Sequence, residues 1–89
     1  MNLDKEIIKL LREKAKDKES VNSLVSLINE KLGPKQSNAL VVLRYFMEAF
    51  GLSLSQVRCL EGAECLGNKA YDDVELENIL QPLIQRSIN

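Results

Sequence analysis

The chain has 89 residues, of which 45% are hydrophobic and 28% charged, and its formal net charge is -1. These values are typical of one globular domain over residues 1–89 and argue against a disordered chain. No stretch approaches the roughly 20 apolar residues that cross a bilayer, and the first residues lack the apolar core of a signal peptide. We therefore expect a cytoplasmic protein without a membrane partner.

Helix signals follow one another along the first half of the chain. Asp4 is placed to cap a first helix, and the polar run 14–19 marks the first connection. Ser20 then caps a second helix, which Gly33 ends, and Pro34 can open the next. Apolar residues recur at helical spacing in both segments. The predicted buried faces are Leu3, Ile7, Leu10, Leu11 and Ala15 in the first helix, and Val21, Leu24, Val25, Ile28 and Leu32 in the second.

The middle of the chain predicts a long apolar helix followed by a short capped one. Residues 36–50 are apolar around nearly the whole circumference of a helix, so we expect this third helix to be central and buried against several neighbours. Gly51 terminates it. Ser53 and Gln56 form a capping box that opens a short fourth helix over 54–61. Its predicted inward side chains are Leu54, Val57 and Leu60.

The last third of the chain predicts a loop and a fifth helix. Glycines in the 62–71 segment indicate the loop. Asp72 and Glu75 then form a second capping box, with a hydrophobic staple between Tyr71 and Leu76. Pro82 predicts a kink or a break within this helix. Its predicted buried stripe is Leu76, Ile79, Leu80, Leu83 and Ile88. The fold class that results is an all-α bundle of about five helices with the third helix central.

Acidic residues are concentrated at the start of the predicted fifth helix. Between positions 61 and 77 lie six of the thirteen acidic residues, and only Lys69 opposes them. Capping explains Asp72 and Glu75, and solubility alone is one interpretation of the rest. The other interpretation is a negative field that attracts and selects a basic partner. The residues concerned are Glu61, Glu64, Asp72, Asp73, Glu75 and Glu77.

Catalytic and metal-binding signals are missing from the sequence. The chain has no histidine, and its two cysteines, Cys59 and Cys65, fill a zinc site only if carboxylates such as Glu61 and Glu64 join them. A disulfide between the two would be unusual in a reducing compartment, so we interpret them as small apolar residues. No glycine-rich phosphate loop is present. We expect no enzymatic activity, no metal, no cofactor and no small-molecule ligand.

A resemblance to a known family adds a function to this interpretation. The run YFMEAFGLSLSQVR over 45–58, a loop, and the run YDDVELENILQPLI over 71–84 resemble small helical immunity proteins of bacterial toxin–immunity systems, such as contact-dependent inhibition and polymorphic toxins. The resemblance implies binding to a cognate toxin domain, often a basic nuclease, and blockage of its active site or target surface. It also implies that the acidic residues named above are the contacts, with Tyr71 as an aromatic anchor and the 62–71 loop setting partner specificity.

A DNA-binding regulator or antitoxin is the alternative. The run LSLSQVRCL over 52–60 resembles the first helix of a helix-turn-helix unit, which needs a second helix carrying base and phosphate contacts. The following segment, 61–75, offers one lysine and many acids, which repel phosphate. The basic residues of the first helix are interleaved with acids, which is typical of a solvated face. Nucleic-acid binding would therefore require a dimer that gathers the N-terminal lysines onto one surface.

Overall fold

The computed structural model describes residues 3–33, 38–62 and 70–88. Over these residues the protein is an all-α bundle of five α-helices without a strand, as the sequence predicts. None of the described helices is both long enough and apolar enough to cross a membrane. The elements are α1 (Lys5–Lys16), α2 (Val21–Leu32), α3 (Ala39–Phe50), α4 (Leu54–Val57), a 3₁₀ helix (Arg58–Gly62) and α5 (Asp73–Ile88).

Side-chain caps fix the starts of these helices. The Asp4 carboxylate accepts a hydrogen bond from a backbone N–H of the first turn of α1 at 2.9 Å, and the Ser20 hydroxyl does so in α2 at 3.1 Å. The Ser53 and Gln56 side chains bond reciprocally to each other's backbone N–H groups, at 3.3 and 2.9 Å. Such caps satisfy N–H groups that have no partner within the helix. All three predicted caps are confirmed.

The first connection is shorter than the sequence predicts. Residues 14–16 continue α1, and Ala15 is fully buried, so the expectation that the connection begins at Lys14 is wrong. The helix ends in a Schellman motif, in which the Glu19 N–H bonds to the Lys14 carbonyl at 3.1 Å and the Lys18 N–H to the Ala15 carbonyl at 3.0 Å. Lys18 adopts the left-handed conformation that this motif requires, with φ 60°.

The central position of α3 is confirmed, because α3 packs against every other helix. Phe46 is fully buried, and its ring meets Phe50 edge-on with centroids 5.7 Å apart. The described part of the helix begins at Ala39 behind an Asn38 cap, which the sequence did not predict, and Leu40 is 53% exposed, so one side of α3 faces solvent. Positions 34 and 36, where the sequence predicted this helix to open, lie outside the described residues.

The inward faces of α4 and α5 also differ from their predicted stripes. Leu54 is 47% exposed and Ile79 is 39% exposed, whereas Ile84, which the predicted stripe omitted, is fully buried. The buried row of α5 is therefore Leu76, Leu80 and Ile84, at i, i+4 and i+8. Pro82 lies inside an uninterrupted helix, so the predicted break is wrong. The side of α5 that carries Pro82 is exposed, so water can bond to the carbonyl that lacks a helical donor.

We expect Phe46→Ala to lower the free energy of unfolding by about 3–5 kcal/mol, because it leaves a cavity in a fully buried site. Urea unfolding followed by circular dichroism measures the change. Leu40→Ala, on an exposed position of the same helix, is the control and should stay within about 1 kcal/mol. Equal losses for the two variants would contradict the assigned inward face of α3.

Candidate functional site

One backbone hydrogen bond assembles the acidic end of the molecule. The Tyr71 N–H donates to the Gly62 carbonyl at 2.9 Å, so the chain that leaves the 3₁₀ helix returns beside it before α5 begins. The approach is close, since a Cβ on Gly62 would lie 2.7 Å from the Ala70 Cβ. Glu61 is the residue before Gly62 and Asp72 is the residue after Tyr71, so the bond brings the backbone positions of these two acidic residues close together. We call the exposed residues Glu61, Asp72, Asp73 and Glu75 the acidic end.

The helix start within the acidic end is the predicted capping box. The Glu75 N–H donates to the Asp72 carboxylate at 2.8 Å, and the Asp72 N–H donates to the Glu75 carboxylate at 3.4 Å. The first helical bond runs from the Leu76 N–H to the Asp72 carbonyl at 3.1 Å. Carboxylates at this position also complement the positive end of the helix dipole. The N-terminus of α5 therefore carries its own anions, which disfavours a phosphate ligand there.

The other acidic residues of α5 have different surroundings. Asp73 is exposed and accepts a hydrogen bond of 3.3 Å from the Asn22 side chain. Glu77 is half-buried, and one of its oxygens accepts the Val21 N–H at 2.6 Å while the other accepts from the Gln81 side chain at 2.8 Å. The expectation that Glu77 has no capping role is therefore wrong. This carboxylate caps the first residue of α2 from a different helix, 56 residues away.

Glu77 belongs to a polar row on α5 that the sequence interpretation missed. The Gln81 amide donates to the Glu19 carbonyl at 3.0 Å, and the Gln85 amide donates to the Ala15 carbonyl at 2.9 Å. Gln85 also donates to the Gln81 side chain at 2.9 Å. The three side chains stand four residues apart on one side of α5. The spacing is visible in the sequence, but their hydrogen-bond partners are not. These partners are backbone groups at the end of α1, in the connection that follows it and at the start of α2.

Of the remaining predicted contacts, Tyr71 is described by the structure and Glu64 is not. Tyr71 is half-buried and packs against the core, with its ring 3.1 Å from the position of a Cβ on Gly62. Tyr71 therefore supports the fold, and its role as an aromatic anchor stays a prediction. Glu64, Cys65 and the interior of the predicted 62–71 loop lie outside the described residues.

Cys59 is a free, buried thiol, as its apolar interpretation predicts. Burial raises the pKa of the Cys59 thiol, which disfavours the thiolate that a nucleophile or metal ligand needs. Its sulfur lies 4.0 Å from the Gln56 carbonyl oxygen. Over the described ranges, no three side chains of the His, Cys, Asp and Glu types come together as a metal site would require.

Comparison with known proteins adds no relative. No protein-family model, curated protein or solved structure matches this chain. What the molecule does has therefore to be inferred from its own surfaces.

We expect Glu77→Ala to lower the free energy of unfolding by about 1–3 kcal/mol, because it leaves the half-buried Val21 N–H and the Gln81 amide without their acceptor. The shift of the urea midpoint measures the loss. Asn78→Ala, at the next and exposed position, is the matched control and should change stability by less than about 0.5 kcal/mol. Indistinguishable midpoints would remove Glu77 from the packing of α5 on α2.

Proposed function

We propose that this protein is a non-enzymatic cytoplasmic inhibitor that binds and neutralises a cognate, basic bacterial toxin domain through its acidic end. The observation that carries the proposal is the bond between Tyr71 and Gly62, because it brings the end of the 3₁₀ helix, which carries Glu61, beside the residues that open α5. A group of exposed like charges on one end creates a local field that an isolated cap does not. The resemblance of the sequence to immunity proteins supplies the class of partner.

Exposure and hydrogen bonding determine which acidic residues are most available to a partner. Glu61 and Asp73 are exposed and lie outside the capping box, so their carboxylates are the most available to a partner. Asp72 and Glu75 are exposed but also cap α5, so each contributes charge while its oxygens accept backbone N–H groups. Glu77 points to α2 and supports the site without facing the partner.

The mode of inhibition follows from charge and shape. A toxin domain that acts on nucleic acid needs a cationic surface for its substrate, because phosphate contacts dominate such binding. Carboxylates on the rigid start of a helix can pair with that surface and exclude the substrate. Tyr71 is half-buried and directly precedes Asp72, and an aromatic residue at this place is of the type that dominates binding energy at interfaces.

The charges on α5 also bear on the alternative of a DNA-binding regulator. In a helix-turn-helix unit opened by α4, the recognition helix would be α5, whose N-terminal residues would face the DNA. Those residues are Asp72, Asp73 and Glu75, which repel phosphate. The geometry therefore supports a basic protein as the partner in preference to duplex DNA.

The proposal is tested by calorimetric titration of this chain with the protein encoded by the gene immediately upstream. We expect a 1:1 complex whose affinity falls between low and moderate salt, because exposed charges are screened. Glu61→Lys should slow association about tenfold, since electrostatic steering acts on the association rate. Stopped-flow mixing measures that rate.

Glu30→Lys is the matched control. Glu30 is exposed near the C-terminal end of α2, whereas the start of α2 contacts α5, and the substitution changes the net charge by the same amount as Glu61→Lys. Equal slowing by the two substitutions would reduce the effect to net charge and count against the acidic end. Absence of binding to the upstream product, together with binding to duplex DNA, would favour the regulator instead.

A further inference from the structure

A second surface, which shares no residue with the acidic end, carries exposed apolar residues. Between the start of α1, the outer side of α3 and the start of α4 runs a groove of about 640 Å³. Leu40 and Leu54, two of the large apolar side chains that the described structure leaves exposed, both line it. Half-buried Leu3, Ile8 and Met47 complete its apolar lining. Exposed apolar groups that share one groove mark a binding surface.

The charges beside this groove are ordered along α3. Arg44 and Glu48 are exposed, line the groove and stand four residues apart, one turn from each other. Leu40 lies one turn before Arg44, and Leu54 follows the C-terminal end of α3. Along the helix the surface therefore presents an apolar residue, a cation, an anion and an apolar residue. Lys5 adds a second cation from α1.

We propose that this groove is the interface of a symmetric homodimer in which α3 packs antiparallel to α3 of a second copy. In a two-fold interface, if residue i of one copy contacts residue j of the other, then residue j of the first copy contacts residue i of the second. Reversal of this sequence places Arg44 against Glu48 of the second copy and Glu48 against Arg44. It also brings Leu40 of each copy to the end where Leu54 of the other lies. The row on α3 and Leu54 are thus complementary to their own copies in charge and in apolar character, while Lys5 of α1 lies outside this pairing.

This pairing favours a second copy over a peptide of a single charge sign. An acidic or basic peptide would pair with one of the two central charges and repel the other, whereas a second copy pairs with both. The two charges also fix the direction of packing, since parallel helices would set Arg44 against Arg44 and Glu48 against Glu48. Like charges placed opposite one another disfavour that arrangement.

Sedimentation velocity of the isolated chain, from low micromolar to millimolar concentration, tests the proposal. We expect a concentration-dependent shift to the mass of two chains. Arg44→Glu alone and Glu48→Arg alone should each raise the dissociation constant about tenfold or more, because each places like charges at both symmetric positions. The double variant R44E/E48R reverses both charges and should restore wild-type dimerisation, while an equimolar mixture of the two single variants should form the mixed dimer.

Leu40→Ser and Val74→Ser form a matched pair for the apolar contribution. Each residue is the second of its helix and is exposed, by 53% for Leu40 and 68% for Val74, but only Leu40 lines the groove. Leu40→Ser should abolish the dimer over the range in which Val74→Ser retains it, with both variants folded by circular dichroism. A chain that stays monomeric to millimolar concentration overturns the proposal. A double variant that fails to restore association overturns the antiparallel pairing.

Discussion

The packing of α5 against the connection between α1 and α2 depends on hydrogen bonds that neither α1 nor α2 can supply. A helix ends with carbonyls that lack donors and begins with N–H groups that lack acceptors, and burial makes both costly. Glu77 accepts at the start of α2, while Gln81 and Gln85 donate to carbonyls at Glu19 and Ala15. An acceptor therefore meets the free N–H group, and donors meet the free carbonyls. These polar contacts fix the position of α5 together with its buried Leu76, Leu80 and Ile84. The same logic joins α1 to α3, where Arg12 donates to the Ala49 carbonyl and the Tyr45 hydroxyl accepts the Asp4 N–H.

This packing divides the acidic residues of α5 between structure and surface. A carboxylate such as Glu77, with both oxygens engaged by donors from α2 and α5, cannot turn to a partner without leaving them unsatisfied. Asp73, one turn earlier, has a single contact of 3.3 Å to an exposed amide and keeps most of its hydrogen-bonding capacity. Among the described residues, the exposed carboxylates at this end are therefore those of Glu61 and of the residues that open α5, while Glu77 in the next turn is bonded to α2.

The caps, the helix count and the central α3 could be predicted from the sequence, because capping boxes and helical periodicity are local signals. The errors in the buried faces have one physical cause. Periodicity gives the apolar side of a helix but not how much of that side its neighbours cover, so Leu54 and Ile79 were predicted to face inward although each is more than a third exposed. The structural role of Glu77 was missed for another reason, since its partner Val21 is 56 residues away in sequence. Pro82 was predicted to kink or break α5, but the helix continues through it on an exposed side, where water can bond to the carbonyl that lacks a helical donor.

The acidic end and the groove share no residue, so the proposed binding of a toxin and the proposed dimerisation use different side chains. Glu61, Asp72, Asp73 and Glu75 lie on the 3₁₀ helix and α5, whereas the groove belongs to α1, α3 and α4. A dimer through the groove would use none of the acidic-end residues and would carry two acidic ends on one particle. Such a particle gains avidity only against a target that offers two cationic sites within reach, since a second contact adds nothing where geometry forbids it. Toxin binding that is independent of dimerisation would therefore indicate a target with one site, whereas affinity that rises with dimerisation would indicate a repeated one.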